Sequence, residues 1–457
     1  MSDRATGQVR VERVLPDARV PAQIVVSGRT TPVTPAAPAV SHTQVPVAIF
    51  DNFWATTLSF ITSLGSRGVP LHIYGSGAGR WSRYATRHTK CPSVDDAEQF
   101  LPWLRARVRS GEIRRVAPTT DLIAYYVSAI REEFAPEVRR TIAPLDELES
   151  CLIKTRFAAA CVRAGQPTPA IVCDDEPEAA IEAGRQLGFP LMMKPNSHLG
   201  VGSGQRGQII RNAEELRAAY RPYAMAPGQD SLAARYPELR WPLLQKFIPS
   251  ARSRVFSISG IKDSSGGIVA ASLSCKRRQW PPDVGISTSQ ITCNDARILA
   301  TGLQTVNRLL SRGLFELELL VNGTELLAID LNPRAFGFIA LDIALGNDLP
   351  WLWLRSTLRA LEPRTIPATR PVMESRLLIP YSINRVVGAL LSARHGKPEE
   401  EDAHPPAEAS VSMLGSWDDP VPMLLSNLSL LRHPGSLLRP YVRAALRNRR
   451  GADGPLR

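Results

Sequence analysis

The chain has 457 residues, 44% of them apolar, and carries 55 Lys and Arg against 43 Asp and Glu, a formal net charge of +12. This length accommodates two or three domains with sizeable cores, and no apolar run approaches the roughly 18 residues that span a bilayer. The charge invites a nucleic-acid reading, but much of the excess is local: Arg432, Arg439, Arg443, Arg447, Arg449, Arg450 and Arg457 face only Asp453 at the C-terminus, and no nucleic-acid partner is expected.

Residues 1–44 are rich in Pro, Ala, Val, Thr and Arg and lack the apolar stretch of a signal peptide, which predicts a disordered leader. Cys91, Cys151, Cys161, Cys173, Cys275 and Cys293 show no CxxC spacing and no metal-ligand pairing with His. Reduced, mostly buried thiols in a cytoplasmic protein are expected.

Pro46 to Phe50 reads as a buried strand, Trp54 to Leu64 as a helix and Pro70 to Tyr74 as a second strand, giving a strand–helix–strand unit with a parallel pair. Asp96 to Arg109 has helical character, and Arg115 to Pro118 reads as a further strand that ends at Thr119, Thr120 and Asp121. Residues 45–140 are thus predicted to form a small α/β domain. Beyond a helix carrying Lys154, the run Gly165-Gln-Pro-Thr-Pro169 breaks the chain. Glu178 to Leu187 is a predicted helix, Pro190 to Lys194 a strand, Gln208 to Ile210 a strand, Ala213 to Tyr220 a helix and Trp241 to Ile248 a strand. A β-rich stretch continues through Ser274, and a helix follows from Asp295 to Leu310.

Two β-rich segments then alternate polar and apolar residues: Phe315-Glu316-Leu317-Glu318-Leu319 and Ile329-Asp330-Leu331-Asn332-Pro333-Arg334. Residues two apart share a strand face, so Glu316 and Glu318 point one way and Asp330 and Asn332 point one way. Phe315, Leu317, Leu319 and Val321 with Leu327, Ile329 and Leu331 are expected to form the opposite, apolar face. A two-residue Asn322-Gly323 turn would pair Val321 with Thr324 and separate Glu318 from Asp330. A three-residue loop, or an equivalent bulge, pairs Val321 with Glu325 and gathers all four polar side chains. A slip of one residue flips every side chain, so the apolar pattern favours the second register. Four oxygen-bearing side chains beside Arg334 suit a magnesium ion shared with phosphates; the alternative is a solvated polar face.

Between the strands at 190–194 and 208–210 lies Asn196-Ser-His-Leu-Gly-Val-Gly-Ser-Gly-Gln-Arg-Gly207. Gly202, Gly204 and Gly207 satisfy GxGxxG, but a strand follows where the dinucleotide fingerprint needs a helix. A glycine-rich loop between strands can instead fold over phosphates with its backbone N–H groups, with Lys194 as an adjacent cation. His198 lacks a second ligand at metal spacing, and Ser203 is not in a nucleophile elbow, so a serine hydrolase has no support. Lys276-Arg-Arg-Gln-Trp-Pro-Pro282 is a second basic cluster, and guanidinium suits a carboxylate substrate. A solvated charged segment and a single-stranded nucleic-acid platform are the alternatives. Leu437, Leu438, Tyr441, Val442, Ala445 and Leu446 recur at helical spacing among the C-terminal arginines, a basic amphipathic helix able to lie on an anionic membrane or to dock on its own domain.

The order of these features (Lys154, the proline break, Lys194 before a glycine-rich loop, Leu244-Gln-Lys-Phe-Ile-Pro249, Glu318, and Asp330-Leu-Asn-Pro-Arg334) resembles the ATP-grasp superfamily. It is most similar to the predicted carboxylate–amine ligases related to the carbamoyl phosphate synthase large subunit. Ser82-Arg-Tyr84, Pro118-Thr-Thr-Asp121 and the Arg-Arg-Gln-Trp-Pro segment also resemble that group. The resemblance implies a pre-ATP-grasp α/β domain at 45–140, an ATP-grasp domain at 141–395 with lobes near 150–243 and 244–395, and a C-terminal extension at 396–457. It implies an ADP-forming ligase that joins a carboxylate to an amine, with ATP and Mg²⁺, or Mn²⁺ in its place, as cofactors. Lys154 and Lys194 would contact phosphates together with Gly202, Ser203 and Gly204. Gln245, Lys246, Phe247 and Ile248 would meet adenine. Glu318, Asp330 and Asn332 would hold metal, with Glu316 in reserve, and Arg334 would stabilise the transferred phosphoryl group. Arg278 is the first candidate for gripping the substrate carboxylate, with Arg277 and Lys276 behind it. Two departures stand out: Asp330 where the family usually has Glu, and Lys246 where the hinge usually carries an acid. A grasp-fold kinase or carboxylase, or a non-catalytic nucleotide-binding protein, is the alternative. The oligomeric state is not legible, a dimer being one option.

Overall fold

The computed structural model describes residues 44–51, 54–197, 199, 207–224, 232, 235–249, 254–280, 285–364, 366–367, 369–382 and 406–431. The leader, the glycine-rich loop with His198, and the arginine-rich C-terminus lie outside the described residues.

The first layer is a three-stranded parallel sheet of β1 (Val47–Phe50), β2 (Leu71–Tyr74) and β3 (Ala85–Thr89), with α1 (Trp54–Gly65) joining the first two strands. The parallel pair matches the sequence reading, since both strands are nearly continuous apolar runs of the kind buried on two faces. Arg115 to Pro118 contributes only a parallel bridge between Ala48 and Val116. Its pairing stops where Pro118, which has no N–H, enters. Sequence reading missed β3, whose central Thr86-Arg-His88 is exposed and carries no apolar signature. The Asp96 side chain caps α2 (Ala97–Arg109), and Thr120 caps α3 (Asp121–Ala129) by accepting from the Ile123 amide. Three short helices follow: α4 (Pro136–Arg139), α5 (Leu145–Leu152) and α6 (Lys154–Arg163).

A four-stranded sheet runs in the order β4 (Ile171–Val172), β7 (Pro242–Lys246), β5 (Leu191–Pro195) and β6 (Gln208–Ile210), covered by α7 (Pro177–Leu187) and α8 (Ala213–Ala224). The largest sheet has seven strands. Its order is β12 (Glu325–Asn332), β11 (Gly313–Asn322), β8 (Val255–Lys262), β9 (Ile268–Trp280), β10 (Ile286–Thr292), β13 (Met373–Arg376) and β14 (Ala409–Ser412). One face packs on α9 (Ala296–Leu309), where Gly302 lets the helix approach so closely that an added Cβ would lie 2.4 Å from Ile258. α10 (Ile339–Ala344), α11 (Leu349–Ser356) and α12 (Pro420–Leu431) complete the described elements that matter here. No helix among the described residues is long and apolar enough to cross a membrane.

The β11–β12 hairpin departs from both registers considered from sequence. Asn322 pairs with Glu325 and Val321 with Leu326, leaving Gly323 (φ 60°) and Thr324 as a two-residue turn. That register alone would set Glu318 against Ile329. A bulge at Ile329 adds one residue, after which Glu318 pairs with Asp330, Leu317 with Leu331 and Glu316 with Asn332. The four polar groups therefore share one face, as the apolar pattern required. The bulge also corrects the apolar face: Leu319, Val321, Leu326, Ala328 and Leu331 enter the main core, whereas Leu320, Leu327 and Ile329 join Val255 and Ile248 in a separate cluster.

Candidate active site

The polar face of the hairpin meets residues from three other parts of the fold. Ile153 bridges to Ser197, the Lys154 amide donates to Asn196 O at 2.7 Å, and the Thr155 amide donates to the Asn196 side chain at 3.0 Å. These bonds tie the first turn of α6 to the end of β5 and bring Lys154 and Lys194 to one place. The buried Lys154 ammonium donates to Asp330 Oδ1 at 2.9 Å. Lys276, on β9, donates to Glu318 Oε1 at 3.0 Å. Burial alone would lower the Lys276 pKa, but the Glu318 charge overrides it and the ammonium is held above its ordinary value. Lys194 is different. Burial, reinforced by the Lys154 charge, pushes its pKa down to about 8, and it has no paired carboxylate among the described residues.

Glu316 is 4% exposed. The Ser257 hydroxyl donates to its Oε1 at 2.7 Å and Asn332 Nδ2 to its Oε2 at 2.6 Å. Burial and the neighbouring Glu318 charge raise its pKa to about 7. Both oxygens of Glu316 are thus committed to orienting neighbours, which makes it a support for Asn332 in this arrangement. Asn332 Oδ1 in turn accepts from Arg334 at 3.0 Å. The Arg334 guanidinium forms a two-pronged pair with Asp121, Nε to Oδ1 at 2.8 Å and Nη2 to Oδ2 at 2.9 Å. Asp121 opens α3, more than two hundred positions earlier in the chain. Sequence reading noted the Pro118-Thr-Thr-Asp121 run but gave Asp121 no role; a carboxylate immediately after a Thr cap was the available signal.

The second basic cluster forms the end of the long strand β9. There Arg277 pairs with the buried Glu374 at 3.4 Å, and Arg376 pairs with the same carboxylate at 2.6 Å. Lys276 is committed to Glu318, and Arg278 stands opposite Ser289 in the β9–β10 register. At the hinge, β7 ends at Lys246, two residues short of the sequence estimate. The Lys246 ammonium donates to Gly188 O at 2.9 Å, its amide to Ala170 O at 3.0 Å, and the Phe247 amide to Pro190 O at 3.3 Å. None of these three donors is available to a purine. Gln245 is buried in the four-stranded sheet, and Ile248 lies in the apolar cluster with Val255, Leu320, Leu327 and Ile329. Leu320 is two residues from Glu318 on the same strand face, so an apolar wall adjoins the charged one.

Among the described residues no three or more His, Cys, Asp or Glu form a group able to hold a metal by themselves. The donor set nonetheless suits Mg²⁺, which takes hard oxygens and is commonly held by one or two carboxylates plus substrate phosphate. Glu318 and Asp330, directly opposed, with the Asn332 carbonyl beside them, supply that complement.

No protein-family model matches the chain. Among curated proteins it is similar to the carbamoyl phosphate synthase large chain of Pyrococcus furiosus, 24% identical over 224 residues, which are 46% of this chain and 19% of that one. The Pyrobaculum aerophilum large chain is 23% identical over 261 residues, 52% of this chain and 23% of that one. The chain therefore spans less than a quarter of the length of these relatives. Among solved structures it is similar to the biotin carboxylase of Campylobacter jejuni in its beta-gamma-ATP complex (TM-score 0.55, 15% identity, 70% of this chain and 73% of that one). The biotin carboxylase domain dimer of Hydrogenobacter thermophilus 2-oxoglutarate carboxylase, solved with MgADP and bicarbonate, gives 0.56 at 14% identity over 71% and 72%. The L-amino acid ligase of Bacillus licheniformis gives 0.52 at 15% identity over 69% and 75%. The described fold is thus shared with biotin carboxylases and an L-amino acid ligase, and the sequence is similar to part of carbamoyl phosphate synthase large chains.

Proposed function

We propose that the chain is an ATP- and Mg²⁺-dependent carboxylate–amine ligase that forms an amide and releases ADP and phosphate. The observation that carries this reading is the interleaving of cations and carboxylates on one sheet face: Glu318 opposite Asp330, Lys154 and Lys276 paired to them, and Lys194 beside them. A polar face that served only solubility would not gather lysines from its own sheet, from a second sheet and from a helix against it.

In this reading Lys154 and Lys194 hold the ATP phosphates, assisted by the loop containing Gly202, Ser203 and Gly204. The Ile248–Leu320–Leu327 cluster is the apolar wall for adenine. Glu318, Asp330 and Asn332 would hold the metal, with Mn²⁺ an acceptable substitute, and the ion would supply charge neutralisation between the phosphates when bound. A substrate carboxylate oxygen attacks the γ-phosphorus, the bond to the β–γ bridging oxygen breaks, and ADP leaves with that electron pair. Arg334, aimed by Asp121 and Asn332, stabilises the charge on the transferred phosphoryl group. The amine then attacks the acyl carbon, phosphate departs, and the amine proton is lost to yield the amide. Arg278 would orient the acid. The loop beyond Lys194 would shield the acyl phosphate from water. The acid and the amine are small molecules that the site does not name.

The likeness to biotin carboxylases favours one second reading, an enzyme that activates bicarbonate. Incubating the protein with ATP and pools of carboxylic and amino acids separates the two. Amine-dependent ADP release with an amide product supports ligation. Turnover that needs bicarbonate but no amine supports the second reading, and AMP as the product would sink both.

A further inference from the structure

We propose that the outward face of α12, together with Trp417 and Trp81, is a docking surface for an anionic lipid bilayer. The helix is turned against the usual pattern. Pro422, Met423 and Ser426 are buried, whereas Val421, Leu424, Leu425 and Leu428 are exposed by 48%, 47%, 37% and 57%. Positions i, i+3, i+4 and i+7 lie on one side of a helix, so the side presented to solvent is the more apolar one. The helix sequence, PVPMLLSNLSLL, contains no charged residue. Trp417, 80% exposed, precedes the helix, and Trp81, 57% exposed, ends the short turn against which the helix packs. Six of the nine exposed large hydrophobic side chains among the described residues are concentrated here.

The patch is built into the fold. The Asp419 carboxylate, just before α12, accepts from the Ser82 hydroxyl and from the Arg83 amide at 3.1 Å, and Arg83 Nη1 donates to Asp418 O at 3.0 Å. Met423, on the buried side, packs against the segment that carries Gly415. An isolated exposed leucine needs no explanation, but a fixed stripe of four with two tryptophans does.

Charge identifies the occupant. Exposed Arg80 stacks on Trp81, its guanidinium carbon 5.2 Å from the ring centroid, and Arg83 sits beside Tyr84 at 5.4 Å. Asp419 is engaged internally, which leaves Asp418 as the exposed acid of this segment. In the sequence, α12 leads directly into residues 432–457, with seven arginines against one aspartate. A second copy docking on this face would set Arg80 and Arg83 against the same residues of its partner, where like charges repel. Anionic headgroups neutralise them, at roughly 1 kcal/mol per basic residue near the surface, while leucines and tryptophans enter the interfacial layer.

The test is co-sedimentation of the full chain with phosphatidylcholine vesicles, with and without phosphatidylserine, alongside the double variant Leu424→Glu/Leu428→Glu and the single variant Trp417→Ser. These side chains are exposed, so unchanged thermal melting is expected and confirms folding. The proposal expects pelleting with the phosphatidylserine vesicles only, weakened at least tenfold in the double variant and several-fold in the single one. Equal pelleting of wild type and double variant would overturn it, since the arginine-rich segment would then suffice. So would no pelleting of the wild type, and a wild-type dimer that the double variant converts to monomer in light scattering would assign the face to a second copy instead.

Discussion

Replacing Asp121 with alanine would remove a carboxylate that lies far from the proposed metal ligands in sequence yet holds the guanidinium nearest to them. The pair is largely shielded, with side-chain exposures of 16% for Arg334 and 12% for Asp121. Breaking a buried ion pair by deleting one partner costs about 3–5 kcal/mol, because the other charge is left uncompensated. Here Arg334 keeps its bonds to Asn332 Oδ1 and Ala335 O, and some water reaches it, so a loss of about 2–3 kcal/mol is expected. In a chain this large that is a fall of a few degrees in melting temperature. The functional loss should exceed the structural one. A guanidinium no longer aimed at the transferred phosphoryl group should lower kcat by about a hundredfold, with KM for ATP changing little. Asp121→Glu keeps the charge and should recover part of that loss. A double-mutant cycle between Asp121→Ala and Arg334→Met measures the coupling directly. A coupling energy below about 0.5 kcal/mol, with wild-type turnover in Asp121→Ala, would refute the reasoning.

Asp330→Ala should abolish turnover while leaving a folded protein by circular dichroism, although the buried Lys154 loses its partner; full activity in that variant would remove the metal assignment. Lys194, with its pKa lowered to about 8, should bind phosphates less well as pH rises through that value, so KM for ATP should climb above pH 8 in wild type and stay flat in Lys194→Arg. The sign for stability is opposite: between about 8 and the unfolded value of about 10.4 the unfolded chain holds the extra proton, so this group's contribution grows with pH across that window. Denaturant midpoints measured on either side of it would check the direction. Gly302→Ala would drive a methyl into Ile258 and should cost about 1–3 kcal/mol, read as a shifted urea midpoint; an unchanged midpoint would mean that α9 moves freely on the sheet.

How far the sequence could be read follows from where each signal resides. β1, α1, β2, α2, α7, β5, β6 and α9 all lie close to their expected places, because each pairs an apolar period with a clear boundary residue. β3 was invisible because Ala85-Thr-Arg-His-Thr89 is mostly exposed, and its strand state comes from pairing with β2. The polar face of the hairpin was legible from alternation alone, but the turn was not. Asn322-Gly323 suggested a tight turn one residue early, and the bulge at Ile329, which restores parity, leaves no mark in the residue types. Lys154, Lys194, Glu318, Asp330 and Asn332 converge as expected. The partners that orient them do not announce themselves, since Lys276, Asn196 and Asp121 reach the site through long-range topology. Lys246 shows the reverse: a charged hinge residue that looked like a departure in ribose recognition is occupied with the Gly188 carbonyl.

The ion pairs of the site also bear on the order in which ligands bind. Without nucleotide, Asp330 and Glu318 are neutralised by Lys154 and Lys276 at 2.9 and 3.0 Å. In the proposed function the carboxylates turn to a metal, and Lys154 turns to phosphate together with Lys194. Nucleotide alone would draw Lys154 away and leave Asp330 facing phosphate oxygens of like charge. Metal alone would take the carboxylates and leave Lys154 and Lys276, little exposed, without counter-ions. Only the two together give Lys154 phosphate in exchange for Asp330 while the metal's charge meets the carboxylates. Their affinities should therefore be coupled, reciprocally, by about 1–3 kcal/mol. Calorimetric titration with ADP in EDTA and in excess Mg²⁺ reads that coupling as a difference in Kd of roughly tenfold or more. The comparison is diagnostic because Asp330→Ala removes the carboxylate that the nucleotide alone would strand. ADP affinity in EDTA should then improve in the variant, while the gain from Mg²⁺ shrinks. Equal affinities with and without metal in the wild type would mean that these pairs are fixed scaffolding and do not exchange.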